Sequence, residues 1–231
     1  MIAQRFGVEY SVGHLWHLLR RLGFSCQKPE KLAIQRNETE IARWKRHTWP
    51  SLKKKQREGR TIVFIDESGL SERPSVARTW SLRGQTPILQ HSFTWKQLSA
   101  SAGLSFWQFY FRFFPGALRS EQIIEFLTAL NRQIKRSLLI IWDDVATHRS
   151  RKVKAWLEEQ DGRIAVARLP PYAPELSPVE AIWAYLKRHE IANLCLNTIG
   201  EVGQFARNRL RSMQRRPNRV AAFWKQAELT F

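Results

Sequence analysis

Three carboxylates stand out by where they fall in the chain. Asp66 closes the apolar run Thr-Ile-Val-Phe-Ile (61–65), Asp143 closes Leu-Leu-Ile-Ile-Trp (138–142), and Glu180 lies just inside a helix opened by Ser177-Pro178. A short continuous apolar run suits a strand buried on both faces, and neighbouring strands bring their ends together where ligands of α/β sheets bind. A helix laid on the same sheet can aim Glu180 at the same point. Carboxylates gathered in this way repel one another by roughly 4 kcal/mol per close pair at an effective dielectric near 20. They need a compensating charge, and oxygen-only ligands select a hard ion such as Mg²⁺ or Mn²⁺. The plainer alternative is that these acids cap helices or pair with surface arginines. For Glu180 taken alone that alternative is the stronger, since acids are common in a first helical turn. Two acids that each close an apolar strand make it weaker.

The elements needed to position such a trio are legible in outline. After the run at 61–66, residues 77–81, 97–104 and 106–114 are rich in Trp, Phe, Tyr, Ser and Leu and predict an antiparallel meander, with Gly84, Gly103 and Pro115 as punctuation. A helix is expected at 120–135 with Ser120 as its cap, then the strand at 138–143, a helix at about 149–160 stopped by Gly162, and a strand at 163–169. Residues 170–174 (Pro-Pro-Tyr-Ala-Pro) form a loop, and Pro at the first helical position opens a helix running to about Glu190. Two basic helices finish the chain. The order is that of a ribonuclease-H-like domain, a mixed α/β sheet with helices on both faces.

Ahead of it, residues 11–22 predict an amphipathic helix with Ser11 as N-cap and Gly23 as stop. Leu15, Leu18, Leu19 and Leu22 would form its buried face, leaving His14, His17, Arg20 and Arg21 for solvent or phosphate. With the turn at 6–11 this reads as a partial helix-turn-helix head over 1–36, or alternatively as one helix of an unrelated bundle. Residues 37–60 read as a basic linker helix, broken at Pro50, without an apolar stripe of its own. The boundaries that follow are 61–195 for the central domain and 196–231 for the basic helices.

Charge agrees with a grip at both ends. The chain of 231 residues carries a formal +18. Residues 1–60 hold 14 Lys and Arg against 5 Asp and Glu, and residues 200–231 hold 7 against 2, whereas the middle is nearly balanced at 17 against 13. Such an excess costs self-repulsion and points to a polyanionic partner. No apolar run is long enough to span a bilayer and no signal-peptide core opens the chain, so a soluble protein of the cytoplasm is expected. Cys26 and Cys195 stand far apart without a C-x-x-C partner, which argues against a zinc knuckle or a disulfide framework.

Four blocks occur in order: Phe-Ile-Asp-Glu-Ser-Gly (64–69), Arg-Thr-Trp-Ser-Leu-Arg-Gly-Gln-Thr-Pro (78–87), Asp-Asp-Val-Ala-Thr-His-Arg-Ser (143–150) and Leu-Pro-Pro-Tyr-Ala-Pro-Glu-Leu-Ser-Pro-Val-Glu-Ala-Ile-Trp (169–183). Together they resemble the DDE domain of mariner-superfamily transposases, in particular a bacterial insertion-sequence branch. The resemblance covers about 61–195, more loosely 1–60. It implies that Asp66, Asp143 and Glu180 are the catalytic acids and metal ligands, and the 36 residues between the last two match the family's spacing. Glu67, Asp144 and His148 are then candidates for supporting positions, His148 matching a histidine of the family that follows the second acid. Trp80, Gly84 and Pro87 match a strand-turn motif read as structural, and Trp183 is expected to pack its helix on the sheet. The family usually has Asn where Asp144 stands, which leaves Asp143 and Asp144 as rivals for the metal, Asp143 favoured by register with His148. It also usually carries a longer amino-terminal DNA-binding region, and this chain reads as starting near that region's tail.

What the resemblance implies is two-metal phosphoryl transfer on double-stranded DNA, cutting element ends and joining them to a target, by a homodimer associated with the bacterial nucleoid. A metal-dependent nuclease on the same fold and a catalytically silent DNA-binding derivative are the alternatives. Phosphates would be held by Arg20, Arg21 and Lys28, with Lys53, Lys54, Lys55 and Arg57 and the arginines of 207–219 behind. If so, DNA affinity measured against salt should fall by about 0.9 log units per contact for each tenfold rise. A flat response would exclude the basic ends as the grip.

Overall fold

Alternation of apolar and polar residues, and the points where it stops, account for most of the architecture. The computed structural model describes residues 2–27, 29, 32–91, 95–227 and 229. The chain divides into two units, residues 1–34 and 35–231.

In the smaller unit, α1 (Ile2–Phe6) is followed by α2 (Val12–Arg21). Ser11 Oγ accepts the His14 amide at 3.2 Å, and Gly23 leaves the helix at φ 84°, as the residue types require. The expected apolar face is not buried. Leu15 and Leu18 are half-buried, Leu19 and Leu22 are exposed, and no residue of α2 is buried. Two short helices offer too little surface to enclose a core of their own. Lys28 lies outside the described residues.

The larger unit begins with α3 (Glu38–Arg43), capped by Asn37, and continues through a π-helical turn (Trp44–Thr48) into α4 (Trp49–Arg57). Pro50 does not break the helix. It sits in the first turn of α4, where the preceding π-turn accommodates its missing N–H. Nor is the segment without an apolar stripe: Ile41, Trp44, Trp49 and Leu52 are buried in the main core, and the Trp44 indole donates to the Arg168 carbonyl at 2.9 Å. The stripe escapes sequence reading because the π-turn shifts the helical phase midway.

Among the described residues five strands follow: β1 (Thr61–Ser71), β2 (Gln97–Leu104), β3 (Phe109–Pro115), β4 (Leu138–Trp142) and β5 (Ile164–Arg168), in the order β3-β2-β1-β4-β5. β1 pairs antiparallel with β2 and parallel with β4, and β5 extends the parallel half. Helices α5 (Ser120–Gln133) and α6 (Arg151–Glu158) contribute to a core with Val63, Ile65, Ile140 and Trp142. The opposite face, with Phe64, Ala102, Leu139 and Ile141, is covered by α3, α4, α7 (Pro178–Tyr185, continued by a π-turn to Glu190), α8 (Ile199–Gln214) and α9 (Pro217–Gln226). This is the mixed α/β architecture expected. None of the helices among the described residues is long and apolar enough to cross a membrane.

Three further expectations need correction. Residues 77–81 form no strand, because no burial rewards pairing there: residues 78–88 are exposed throughout, Trp80 at 99%, and the 80–87 motif packs into nothing. β1 does not end at Asp66 but runs on to Ser71 against β2. The cap of α5 is Arg119, whose N–H donates to the Gln122 side chain at 2.9 Å, rather than Ser120.

Trp49, 2% exposed, separates a packed helix from a tether. Trp49→Ala should cost about 3–5 kcal/mol and lower the melting temperature of the larger unit by on the order of 10 °C. A solvent-exposed connector would leave the melting curve where it was.

Candidate active site

The parallel pairing of β1 with β4 ends at Phe64↔Ile141, so Asp66 and Asp143 follow at the same level, two residues beyond. Side chains alternate across a strand. Asp66 therefore shares the face of Phe64, toward α7, whereas Glu67 shares the face of Val63 and Ile65, toward α5 and α6. Glu180 stands in the first turn of α7, which is seated by Val179, Ile182 and Trp183, each at most 2% exposed. Asp66, Asp143, Asp144 and Glu180 line one open cleft of about 410 Å³, walled by the loop 169–174 and Ser177.

Electrostatics mark the same spot. Burial, then the charges of Glu180, Glu67 and Asp143, push the Asp66 carboxyl from an ordinary 3.8 up to about 8, against a hydrogen bond from the Glu67 amide. Partial burial also raises Glu180, opposed by Lys187 and assisted by Asp143. Glu180 is the more solvent-exposed of the two. Five buried side-chain polar atoms among the described residues lack a hydrogen-bond partner, and three of them belong to residues of this cleft: Asp66 Oδ2, Asp144 Oδ1 and Ser177 Oγ. Asp66 Oδ2 and Ser177 Oγ at one opening, with Asp144 Oδ1 met only by the charge of Arg168, are what a ligand-binding site presents before its ligand. No three His, Cys, Asp or Glu side chains among the described residues stand in ready-made metal-holding geometry. The oxygen-only donor set, the raised Asp66 and the orphaned Oδ2 nevertheless fit a hard divalent cation.

Behind the cleft, His148 is 5% exposed and stacks flat on Trp142, ring centroids 4.1 Å apart. Its Nδ1 lies 2.9 Å from Asp143 Oδ1, and its Nε2 3.3 Å from Glu67 Oε1. Burial pushes the imidazolium down, but hydrogen bonds to Asp143 and Glu67 and their charges outweigh it and carry its pKa up to about 10. Both ring nitrogens therefore donate at neutral pH. Asp144 instead faces Arg168, 3.2 Å away, and Arg149, 3.8 Å away; the Arg168 contact is a charge contact not aligned as a hydrogen bond.

All six acidic and histidine candidates are thus gathered around one point, with Glu67 on the far side of the sheet from Glu180. The basic candidates of the larger unit do not line this cleft. Arg20 and Arg21 end α2 in the smaller unit; Lys54, Lys55 and Arg57 are exposed at the end of α4, and Lys53 lies over the Trp49 ring at 5.8 Å. Sequence reading missed Arg168 and Ser177. Arg168 was recoverable, since β5 pairs with β4 so that Arg168 faces Trp142, one residue before the acids.

Residues 61–201 match the family model described as DDE superfamily endonuclease, and residues 1–48 match that of a winged helix-turn helix. Among solved structures, the mariner Mos1 paired end complex with Mg is similar at a TM-score of 0.69 and 17% identity, covering 100% of this chain and 74% of that one. The Mos1 strand transfer complex gives 0.65 at 18% identity over 100% and 73%, and the isolated Mos1 catalytic domain 0.55 at 15% over 87% and 91%. At such identities the likeness is one of fold. No curated protein matches the sequence.

The raised carboxyl fixes a sign. A folded-state pKa of about 8 against 3.8 gives Asp66 a stabilising contribution present below about pH 4 and lost as pH rises through about 8. Thermal melting in chelator should therefore show stability falling across that window, and Asp66→Asn should flatten the fall. Equal slopes for the two proteins would refute the crowding.

Proposed function

This chain belongs to the DDE superfamily of endonucleases, and from that premise we propose that it is the DNA transposase of an insertion sequence, cutting the element's ends and joining them to target DNA. The observation that carries this reading is the single cleft lined by Asp66, Asp143 and Glu180, with its unpartnered buried oxygens. Asp66, Asp143 and Glu180 are the proposed ligands of two divalent cations. Mg²⁺ and Mn²⁺ suit hard oxygen donors, and the mariner Mos1 paired end complexes are described as containing Mg or Mn. Bound there, such ions supply a water of lowered pKa and a counter-charge for the departing 3′ oxygen.

The chain's own residues do the positioning. Asp66 is held by the pairing of β1 with β2, opposite Ala102, just beyond the stretch paired with β4, so its carboxylate cannot drift as a loop residue could. His148, clamped between Trp142 and two carboxylates, holds Asp143 to one orientation. Asp144 is drawn toward Arg168 and Arg149, which is why Asp143 is preferred as the ligand. Glu67 serves as the rear anchor of His148. The attacking groups are a water and then the freed 3′-OH, so no protein nucleophile is required. Double-stranded DNA is the proposed partner, with Arg20, Arg21, Lys28, Lys53, Lys54, Lys55 and Arg57 on its phosphates. A homodimer is proposed as the active form, in keeping with neighbours described as paired end complexes.

Incubation of the full chain with end-containing duplex DNA and Mn²⁺ or Mg²⁺ tests the proposal. Wild type should cut and join strands, and Asp143→Ala should fall to background while still binding DNA. Cutting without joining would make the protein a nuclease on this fold. Binding without cutting would make it a silent derivative.

A further inference from the structure

One wall of the cleft is the loop 169–176 between β5 and α7, and its backbone is not relaxed. Tyr172 sits at φ 56°, in the left-handed region that a residue with a Cβ disfavours. Its side chain is 53% exposed and does not anchor it. Pro170, Pro171 and Pro174 stiffen the loop but bring no N–H groups with which to tie it down.

The tie comes from the far end of the unit's sequence. Arg36, whose side chain is 15% exposed, donates from Nη1 to the Tyr172 carbonyl at 2.9 Å and to Glu175 Oε2 at 2.9 Å, and from Nη2 to Glu175 Oε1 at 2.6 Å. Its Nε and Nη2 reach Glu38, at 2.5 and 3.3 Å. Every edge of the guanidinium is used. The bonds to Arg36 hold Glu175 below its ordinary carboxylate pKa, so both partners stay charged. Arg36 is itself anchored: Asn37 caps α3 directly after it, and α3 leads into the buried Ile41, Trp44 and Trp49. A rigid helix thus reaches through one side chain to the strained turn.

We infer that Arg36 is a positioning residue for the proposed reaction, a strut that holds the cleft wall at Tyr172 and Glu175 in place while DNA is cut. The inference rests on the reading of the cleft as the nuclease site. Arg36 does not line the cleft, so it acts through the loop. Lysine can replace it only in part, because a point charge cannot serve two carboxylate oxygens and a carbonyl in one plane.

The test compares the full chain with Arg36→Ala, Arg36→Lys, Glu175→Gln and the double variant Arg36→Ala/Glu175→Gln. For cleavage of end-containing DNA in Mn²⁺, Arg36→Ala should lower kcat by between about ten- and a hundredfold with little change in KM. Arg36→Lys should recover part of the loss, and the double variant should be no worse than the poorer single one. Hydrogen exchange should quicken at the amides of 172, 173, 175 and 176 while β1 and β4 stay protected. An unchanged kcat overturns the inference, as does a loss accompanied by faster exchange throughout β1 and β4, which would make Arg36 merely structural. If wild type cuts no DNA, the nuclease reading falls, and the exchange comparison still decides whether Arg36 holds the wall; unchanged exchange there overturns it.

Discussion

Parallel strands share an end only if they stop pairing at the same level, and the site depends on β1 and β4 doing so. Four paired positions, from Thr61↔Leu138 to Phe64↔Ile141, set Asp66 beside Asp143. A slip of one residue would turn Asp66 to the other face and bring Glu67 to the cleft in its place. The pairing is held by burial: Ile62, Val63 and Phe64 and all five residues of β4 are at most 5% exposed. A register fixed so firmly can tolerate carboxylates that repel one another, because no small backbone shift relieves them without exposing that core.

Charge is then sorted across the sheet. Asp66 and Glu180 meet on the α7 face, while Glu67 is carried through to the α5 and α6 face, where His148 takes it up together with Asp143. Arg168 and Arg149 draw off Asp144. What stays uncompensated is concentrated around Asp66. The resulting acidic opening sits in a chain of net +18. The long-range field attracts a polyanion, and the cleft itself would repel each phosphate that arrived. Cations bound by the acids reconcile the two, which ties the metal and the DNA partner into one proposal rather than two.

Much of this was legible beforehand, and for identifiable reasons. Runs such as 61–66 and 138–142 are apolar without alternation, a pattern that two-sided burial imposes, so the central strands and the acids beyond them could be named. The same logic failed at 77–81, where Thr79 and Trp80 have strand character but lie exposed, with no packing to reward pairing. It failed again at 38–57, where a π-turn breaks the 3.6-residue period and hides four core residues. Asp66 was placed at a strand end because sequence reports where burial stops, not where pairing with β2 continues. Arg36 gave no signal at all, since its partners lie 136 and 139 positions away.

The reassignment of 38–57 from tether to core alters what its charges can do. Basic residues on a flexible tether raise the local concentration of DNA but impose no register on it. Lys54, Lys55 and Arg57 instead extend from a helix whose Trp49 and Leu52 are buried in the same core as α7 and the α7 face of β1. Their distance to Asp66 is therefore set by packing, as is that of Arg36 from the cleft wall. Any phosphate they hold would be placed at a fixed offset from the acids. The segment read from sequence as a linker helix is thus part of the core, and its basic end keeps a set place relative to the acids.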